Sequence, residues 1–523
     1  MTVFNHKHLN HPNLYLFGLA LVAIGMPLSR FLMSLGIIII SANWVLEGNL
    51  KEKFRRYFIN KSALLLTAVF FAYALGLFYS ENLQYGFNNL VLKLPLLFCP
   101  LVIATSTPLN SKNFNRLLLV FIGAVLISSF LSLGIYLGAF DDVANNIRGI
   151  SIFISNIRFS LMVTLSIFIL AIFCIERSLT KLRILISLIL ILWLTAFLFL
   201  LGSFTGIVCF FVALVMLIFR FLYQTKGLRI TILVGLITIL ISALGLNNFY
   251  RSNYKNENVS LSELPEKTAN GNLYTHNFEN IQKENGNLVW INICWKELLK
   301  EWKSVSNIGF EMQTKNGRKL KYVLVRYLTS KGINKDAYGI SQLTDVDIHN
   351  IESGVTNYKY LDSNSLKYRL DQTVWSIHGY LSGANPEGQS VPQRIEFWKA
   401  AIGLIKSNTW FGVGTGDTKD SFKEYYRTTN SMLNEKWWYK SHNQFLTTTV
   451  ALGVLGLFIF LLSLIYPFFT EPNTRQRLYL VFFIIAILSM IPEDGLEVQA
   501  GVMFFAYFNS LFLFGKSNIN NDI

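Results

Sequence analysis

A lone histidine, an arginine and a short acidic loop are the residues whose types and positions invite chemistry. His442 stands at the head of an apolar stretch, "YKSHNQFLTTTVALGVLGLFIFLL", residues 439–462. An imidazole titrates near neutrality and can take a proton from a hydroxyl. At a membrane boundary it can equally be an interfacial or capping group. Arg394 opens "RIEFWKAAIGLIKSN", residues 394–408, whose Ile395, Trp398, Ile402 and Ile405 fall on one face of a predicted amphipathic helix. An arginine at a helix start opposes the macrodipole, which argues for a task beyond surface charge. "PEDGLEVQAG", residues 492–501, carries Glu493, Asp494 and Glu497. Three carboxylates can hold a divalent cation, act as a base, or form a plain exposed loop. Glu497 falls just before the last apolar run, where a carboxylate is uncomfortable.

Other patterns are weaker. The seven histidines, at 6, 8, 11, 276, 349, 378 and 442, show no i, i+4 or His-Glu-x-x-His spacing, so no metal is expected. Gly412, Gly414 and Gly416 in "FGVGTGDTKDSF" lack the strand–helix context of a dinucleotide fingerprint, and no Gly-Lys-Ser/Thr follows. They read as a tight turn, with a phosphate cradle of backbone N–H groups as the alternative. Cys99, Cys174 and Cys209 lie in apolar runs and Cys294 stands alone in a polar segment, so no disulfide framework is implied.

The elements that must position these residues are membrane helices. Of 523 residues, 52% are hydrophobic and 15% charged, too apolar for a soluble chain of this length. The net charge of +15 is not a nucleic-acid signal, because most of the charges sit in short loops between apolar runs. The first apolar run, from Leu14 to Leu28, has no cleavage site of small residues, so it reads as a span rather than a signal peptide. Apolar runs predict an all-α polytopic protein of about twelve spans: 13–28, 31–47, 62–79, 90–107, 117–139, 158–176, 183–201, 203–222, 229–249, 443–467, 477–492 and 499–515.

Alternate loops differ in charge. One set, with both tails, holds 17 Lys and Arg, including those of "KEKFRRYFINK" at 51–61; the other holds only Arg30, Lys93, Arg148 and Arg158, with several carboxylates. The positive-inside rule puts the first set and both termini in the cytoplasm. The polar segment 251–441, with 25 basic and 20 acidic residues, then faces outward as a mixed, largely helical domain between membrane domains 1–250 and 442–523. Within it, 288–306 has helical spacing, and 319–332 reads as either strand or helix.

Residues 441–456, "SHNQFLTTTVALGVLG", place His-Asn at the entrance of a span, with Leu four and Gly eleven residues after the histidine. About fifty residues upstream stands "RIEFWKAAIGLIKSNTWFGVGTGD", residues 394–417. Together with the twelve-span layout and the single large outward segment, these resemble the O-antigen ligase and O-antigen polymerase superfamily. Residues 323–357 and 493–505 are also similar to segments of family members. The resemblance implies a metal-independent membrane glycosyltransferase with a GT-C-like fold and no cofactor. Such an enzyme moves a glycan from undecaprenyl diphosphate to an acceptor sugar outside the bacterial inner membrane. For a ligase the acceptor is lipid A-core; for a polymerase it is another repeat unit. It further implies an essential histidine at His442 and an essential arginine at Arg394.

One position departs from the family. An arginine thought to contact phosphate often occupies the outward loop after the seventh span, where this chain reads "LGSFTG", residues 201–206, with Phe204 in its place. Arg158, heading the sixth span on the same side, is the expected replacement, since arginine in an apolar helix is costly without an anionic partner. Arg148 and Arg251 are weaker candidates. The expected chemistry pairs His442 as base with Arg394 and Arg158 on the diphosphate, with Glu497 and Asn443 in support. A glycan or lipid transporter is the rival class; it would favour ionisable residues or broken helices in mid-span, and internal repeats.

Overall fold

The computed structural model describes residues 10–138, 151–176, 179–254, 264–280, 282–359 and 366–516. The chain divides into two compact units. The first comprises residues 1–221, 396–431 and 435–523; the second comprises 222–395 and 432–434.

Apolar runs preceded by Asn, Ser or Thr become helices, because a short polar side chain can accept from the exposed N–H groups of the first turn. Asn10, Ser29, Asn60, Asn110, Thr180 and Asn443 all do so. The helices are α1 (His11–Leu28), α2 (Arg30–Leu46), α3 (Leu50–Ile59), α4 (Lys61–Leu77), α5 (Leu83–Leu92), α6 (Leu94–Thr105), α7 (Ser111–Tyr136), α8 (Asn156–Glu176), α9 (Lys181–Leu201) and α10 (Phe204–Tyr254). The second unit adds α11 (Trp295–Val305), α12 (Leu320–Ser330), α13 (Ala337–Ser341), α14 (Asp345–Glu352) and α15 (Leu366–Leu381). Then come α16 (Ser390–Ser407), α17 (Thr418–Thr428), α18 (Gln444–Ile465), α19 (Pro467–Thr470), α20 (Arg477–Ser489) and α21 (Gln499–Phe514).

The protein is a mostly helical, polytopic membrane protein. Among the described residues seven helical stretches are long and apolar enough to cross a bilayer: α1, α5 with α6, α7, α8, α9, the first part of α10, and α18 with α19. The apolar helices α4, α20 and α21 are shorter, and α2 joins α3 through a bend of 114°. Burial sorts them. α8 is enclosed almost throughout, whereas α9 turns Leu185, Ile189 and Leu192 outward. Exposed leucine and isoleucine on a hydrophobic helix suit lipid, not water. In the first unit α4 packs on α6 and α18, α8 on α9 and α20, and α21 on α6.

Contacts within this unit sort the loops into two rims. At one, the Ser62 and Thr470 hydroxyls lie 2.8 Å apart, Leu109 donates to the Gly515 carbonyl, Arg220 to the Arg475 carbonyl, and Arg477 pairs with Glu176. These are segments of the basic set. At the other, Asn156 donates to the Leu201 carbonyl, and Lys93 and Lys440 meet Glu497. No described contact named here mixes the sets, as expected if successive helices run in alternate directions.

Several expectations are corrected. Residues 51–61 are not an open loop, because most of them form α3, a basic amphipathic helix. The span expected at 90–107 begins at Leu83, and Lys93 lies inside it at the α5–α6 junction rather than in a loop. The expected break between 203–222 and 229–249 is kept: α10 is two helical stretches joined across a kink at Gly227 (φ 79°). The ambiguous 319–332 is helical, with Val323, Leu324, Tyr327 and Leu328 buried in the second unit's core beside Trp302 and Leu298. The segment at 288–306 is helical only from Trp295; Asn287–Leu288 pairs with Lys283–Glu284 as a two-stranded hairpin. α16 begins at Ser390, so Arg394 sits in its second turn instead of its first residue. Its buried side is Phe397, Ala400, Ala401 and Leu404, while Ile402 is 47% exposed. Alanines win that face because the packing is close: a side chain on Gly403 would run into the Tyr425 ring.

Candidate active site around His442

The histidine is held by its neighbours' backbone chemistry. Asn443 caps α18, its side chain accepting from Leu446 N–H at 3.0 Å. Ser441, fully buried, accepts from Asn443 N–H and bonds the Thr447 hydroxyl at 2.6 Å. Gln444 N–H donates to the Met490 carbonyl, and its side-chain oxygen accepts from Leu496 N–H at 2.7 Å. With both sides pinned, His442 takes a left-handed backbone, φ 48°, unusual for a non-glycine residue. Such a conformation persists where surrounding structure determines it, and it occurs often at working sites.

That conformation aims the imidazole at the acidic loop. Nδ1 lies 3.6 Å from an Asp494 carboxylate oxygen and 3.9 Å from one of Glu493. Phe397 and Tyr439 wall it in, with ring centroids 5.6 and 6.0 Å away. The side chain is 34% exposed, so it is both held and reachable. The two features that stood as rivals in the sequence, the histidine and the carboxylates, are therefore one site.

Glu497, four residues past Glu493, is not in an open loop. Its carboxylate meets Lys93 at 2.8 Å and Lys440 at 2.6 Å, and accepts from Asn89 at 2.8 Å. Lys93 is wholly buried, donates also to Asn89, and lies 4.3 Å from the Tyr73 ring centroid. Burial favours the protonated form of Glu497, yet the Lys440 and Lys93 ammoniums outweigh it and hold this carboxyl well below the usual range. Burial likewise opposes charge on Lys440, but Glu497 and then Asp494 hold it above its ordinary value. Lys440 is two residues before His442. The triad thus ties the segment entering the histidine to the segment carrying the acidic pair.

Arg158 is half-buried at the start of α8. It donates to Ser155 at 2.8 Å and lines a pocket with Glu493, Leu496 and Phe504. Glu493 and Asp494 both act on it electrostatically, and so does Arg30 at the head of α2. The loop of Phe204 packs against the same turn: Ser203 and Ser160 hydroxyls are 2.9 Å apart, and Gly206 abuts Ser160. The position that lacks arginine and the arginine expected to replace it are therefore neighbours. Arg394 belongs to the second unit, where its guanidinium bonds the Ser390 carbonyl at 3.3 Å and the Ser390 hydroxyl. Arg148 and the Arg251 side chain lie outside the described residues.

The glycine segment is a turn whose N–H groups are engaged. Val413 and Gly414 donate to the Val450 and Ala451 carbonyls, Thr415 to the Gly76 carbonyl, and Gly416 to Ser80. The first two carbonyls are open because α18 breaks at Gly453 (φ 65°, ψ −169°). α18 is thus a broken helix, the feature expected of a transporter, but the break is filled by protein rather than facing a cavity.

His442, Glu493, Asp494 and Arg158 are brought together inside the first unit. The signal that sequence reasoning missed is Lys93, which was read as a loop charge. Its only sequence clue was a lysine within a run that is otherwise apolar. His442, Glu493 and Asp494 each offer a ligand atom, all within 4.8 Å of one another, a set suited to a divalent cation.

Residues 346–461 match the family model described as O-Antigen ligase. The match supports the O-antigen ligase and polymerase superfamily, and it contains both Arg394 and His442. Glu493, Asp494, Arg158 and Lys93 lie outside it. No curated protein matches the chain.

Proposed function

We propose, from the family match of residues 346–461, that this chain is a membrane glycosyltransferase of the O-antigen ligase type. It transfers a glycan from undecaprenyl diphosphate to lipid A-core on the periplasmic face of the bacterial inner membrane. The observation that carries this reading is His442, inside the matched segment, strained at the foot of α18 with Nδ1 toward Asp494 and Glu493.

A carboxylate at Nδ1 favours the tautomer with the proton there, leaving Nε2 to accept a proton from the acceptor hydroxyl. The hydroxyl oxygen attacks the anomeric carbon, the bond to the diphosphate oxygen breaks, and the lipid diphosphate leaves with the electron pair. Direct displacement inverts the anomeric centre. The leaving group needs positive charge more than a proton, a task for the Arg394 and Arg158 guanidiniums through bidentate, charge-assisted bonds. Glu497, with Lys93 and Lys440, is a positioning group for the histidine, and Asn443 is a cap.

The reading includes twelve crossings: the seven qualifying stretches, the shorter α2, α4, α20 and α21, and the part of α10 beyond Gly227. Charge asymmetry between the two rims supports the rim of His442 as the periplasmic one. It also includes metal independence, although the cluster of His442 with Glu493 and Asp494 is of a kind that holds cations. Transfer by reconstituted protein should survive EDTA; a loss reversed by one divalent ion would make the acidic loop the centre of the chemistry.

Deleting the gene and examining the surface glycan tests the function. Loss of all polymer from lipid A-core, with lipid-linked polymer accumulating, supports the ligase. A single repeat unit left on the core means a polymerase, the second reading that the superfamily match favours. Loss of polymer from the core with lipid-linked substrate stranded on the cytoplasmic side means a transporter.

A further inference from the structure

α3 is held at a sharp angle to α2. Gly48 (φ 75°) and Asn49 (φ 51°) turn the chain sharply after α2, and the two helices meet at 114°. The elbow is built, not slack. Lys53, buried, pairs with Glu47 at 2.7 Å, donates to the Trp44 carbonyl at 2.5 Å, and lies 5.2 Å from the Trp44 ring. Phe54 meets the same indole edge-on at 5.5 Å. Tyr57 is buried, and α3 packs on α4 and α6. If α2 runs along the membrane normal, α3 departs from the membrane plane by the 24° that separate 114° from a right angle, about the ordinary tilt of membrane helices.

The faces of α3 agree with that placement. Lys53 and Tyr57 point into the bundle. Beside them Leu50, Phe54 and Phe58, each four residues apart, form an exposed apolar row, with Phe58 64% exposed. Beyond that row stand Lys51, Arg55 and Arg56, exposed, the arginines pairing with Glu52 at 3.5 and 3.4 Å. An apolar row flanked by a basic one is the pattern of a helix lying in the lipid–water boundary, rings among acyl chains and cations among headgroups. α2 is 17 residues, about 25 Å, and its far end carries Arg30, within electrostatic reach of Arg158. α3 therefore lies in the leaflet opposite the one beside His442.

We infer that α3 is a surface-lying helix that seats the protein on anionic lipid headgroups of that leaflet. This is independent of the glycosyltransferase reading. The test uses full-length protein in nanodiscs of phosphatidylcholine with and without phosphatidylglycerol. A nitroxide on Phe58→Cys should collide with dissolved oxygen as readily as one on lipid-facing Leu188→Cys, and far less with a water-soluble nickel chelate. Lys51→Glu/Arg55→Glu leaves the Lys53–Glu47 elbow intact. It should retain less phosphatidylglycerol by native mass spectrometry, roughly fivefold weaker for each charge reversed. A label at 58 open to the nickel chelate, a label immobile and shielded from both probes as in a protein contact, or unchanged lipid retention would each overturn the proposal.

Discussion

At one rim of the first unit Lys93, Lys440 and Glu497 are packed out of water, with His442, Asp494, Glu493 and Arg158 beside them. At the other, Lys51, Arg55, Arg56, Lys112, Arg116 and Arg183 stand exposed. Both rims are charged, but by different physics. Exposed ammoniums and guanidiniums cost little and act through the field of the lipid surface. Buried ones lose several kcal/mol of hydration each and need close partners, and a hydrophobic replacement of such a network is often no less stable. A lysine kept at zero exposure is therefore better understood as fixing geometry than as adding stability, and the geometry it fixes is that of the histidine.

The contrast is best broken by removing charge from each rim in turn. The largest effect is expected from His442→Ala, which should abolish transfer while the protein inserts normally, since the side chain is not part of a packed core. Wild-type turnover by well-inserted protein would remove the base from the mechanism. Arg394→Lys should lose about 30- to 1000-fold in rate, nearly as much as Arg394→Ala, because lysine keeps the charge but not the planar fork; full activity would leave Arg394 as field alone.

Glu497→Gln leaves two buried ammoniums facing a neutral amide and should destabilise the protein by about 3–5 kcal/mol, read as a drop in Tm in detergent. The wild-type network also sets a pH window. The depressed Glu497 carboxyl stabilises the fold above the ordinary carboxylate range, an effect lost as pH falls through its lower folded value. The raised Lys440 ammonium stabilises below the ordinary ammonium range, an effect lost as pH rises through its higher folded value. The difference in thermal stability between wild type and Glu497→Gln should thus be flat from about pH 5 to about pH 9, whereas the whole curve also carries Lys335, lowered to about 8 by burial. A slope in that difference would show that the triad is not fully charged. At the far rim, Arg116→Ala should change stability by less than about 0.5 kcal/mol, and a larger loss would mean that this rim also is built rather than open.

The apolar helices were legible because twenty or so hydrophobic residues have few other fates. His442, Arg394, Arg158 and the carboxylates were each legible as residues out of keeping with their surroundings. What could not be read was their joining. Lys93 and Glu497 are 404 residues apart, and nothing local to either names the other. α3 was misread because charge in a short segment between spans is ordinarily a loop, while its helical periodicity covers fewer than three turns. The packed side of α16 was misread because size suggested isoleucine and tryptophan, whereas close helix contact selected alanine.

The break in α18 has an effect on assembly order. Val450 and Ala451 expose carbonyls that a bilayer interior will not tolerate unpaired. Their partners, Val413 and Gly414, are made earlier by the ribosome and reach the outer side first if residues 396–431 are exported as proposed. α18 can then insert as an unbroken helix and bend only when the waiting turn threads in beside Gly453. A β-carbon there would strike the Trp410 carbonyl at 2.1 Å, so Gly453→Ala should stop the chain at that inserted but undocked stage, with the 409–416 turn open to protease.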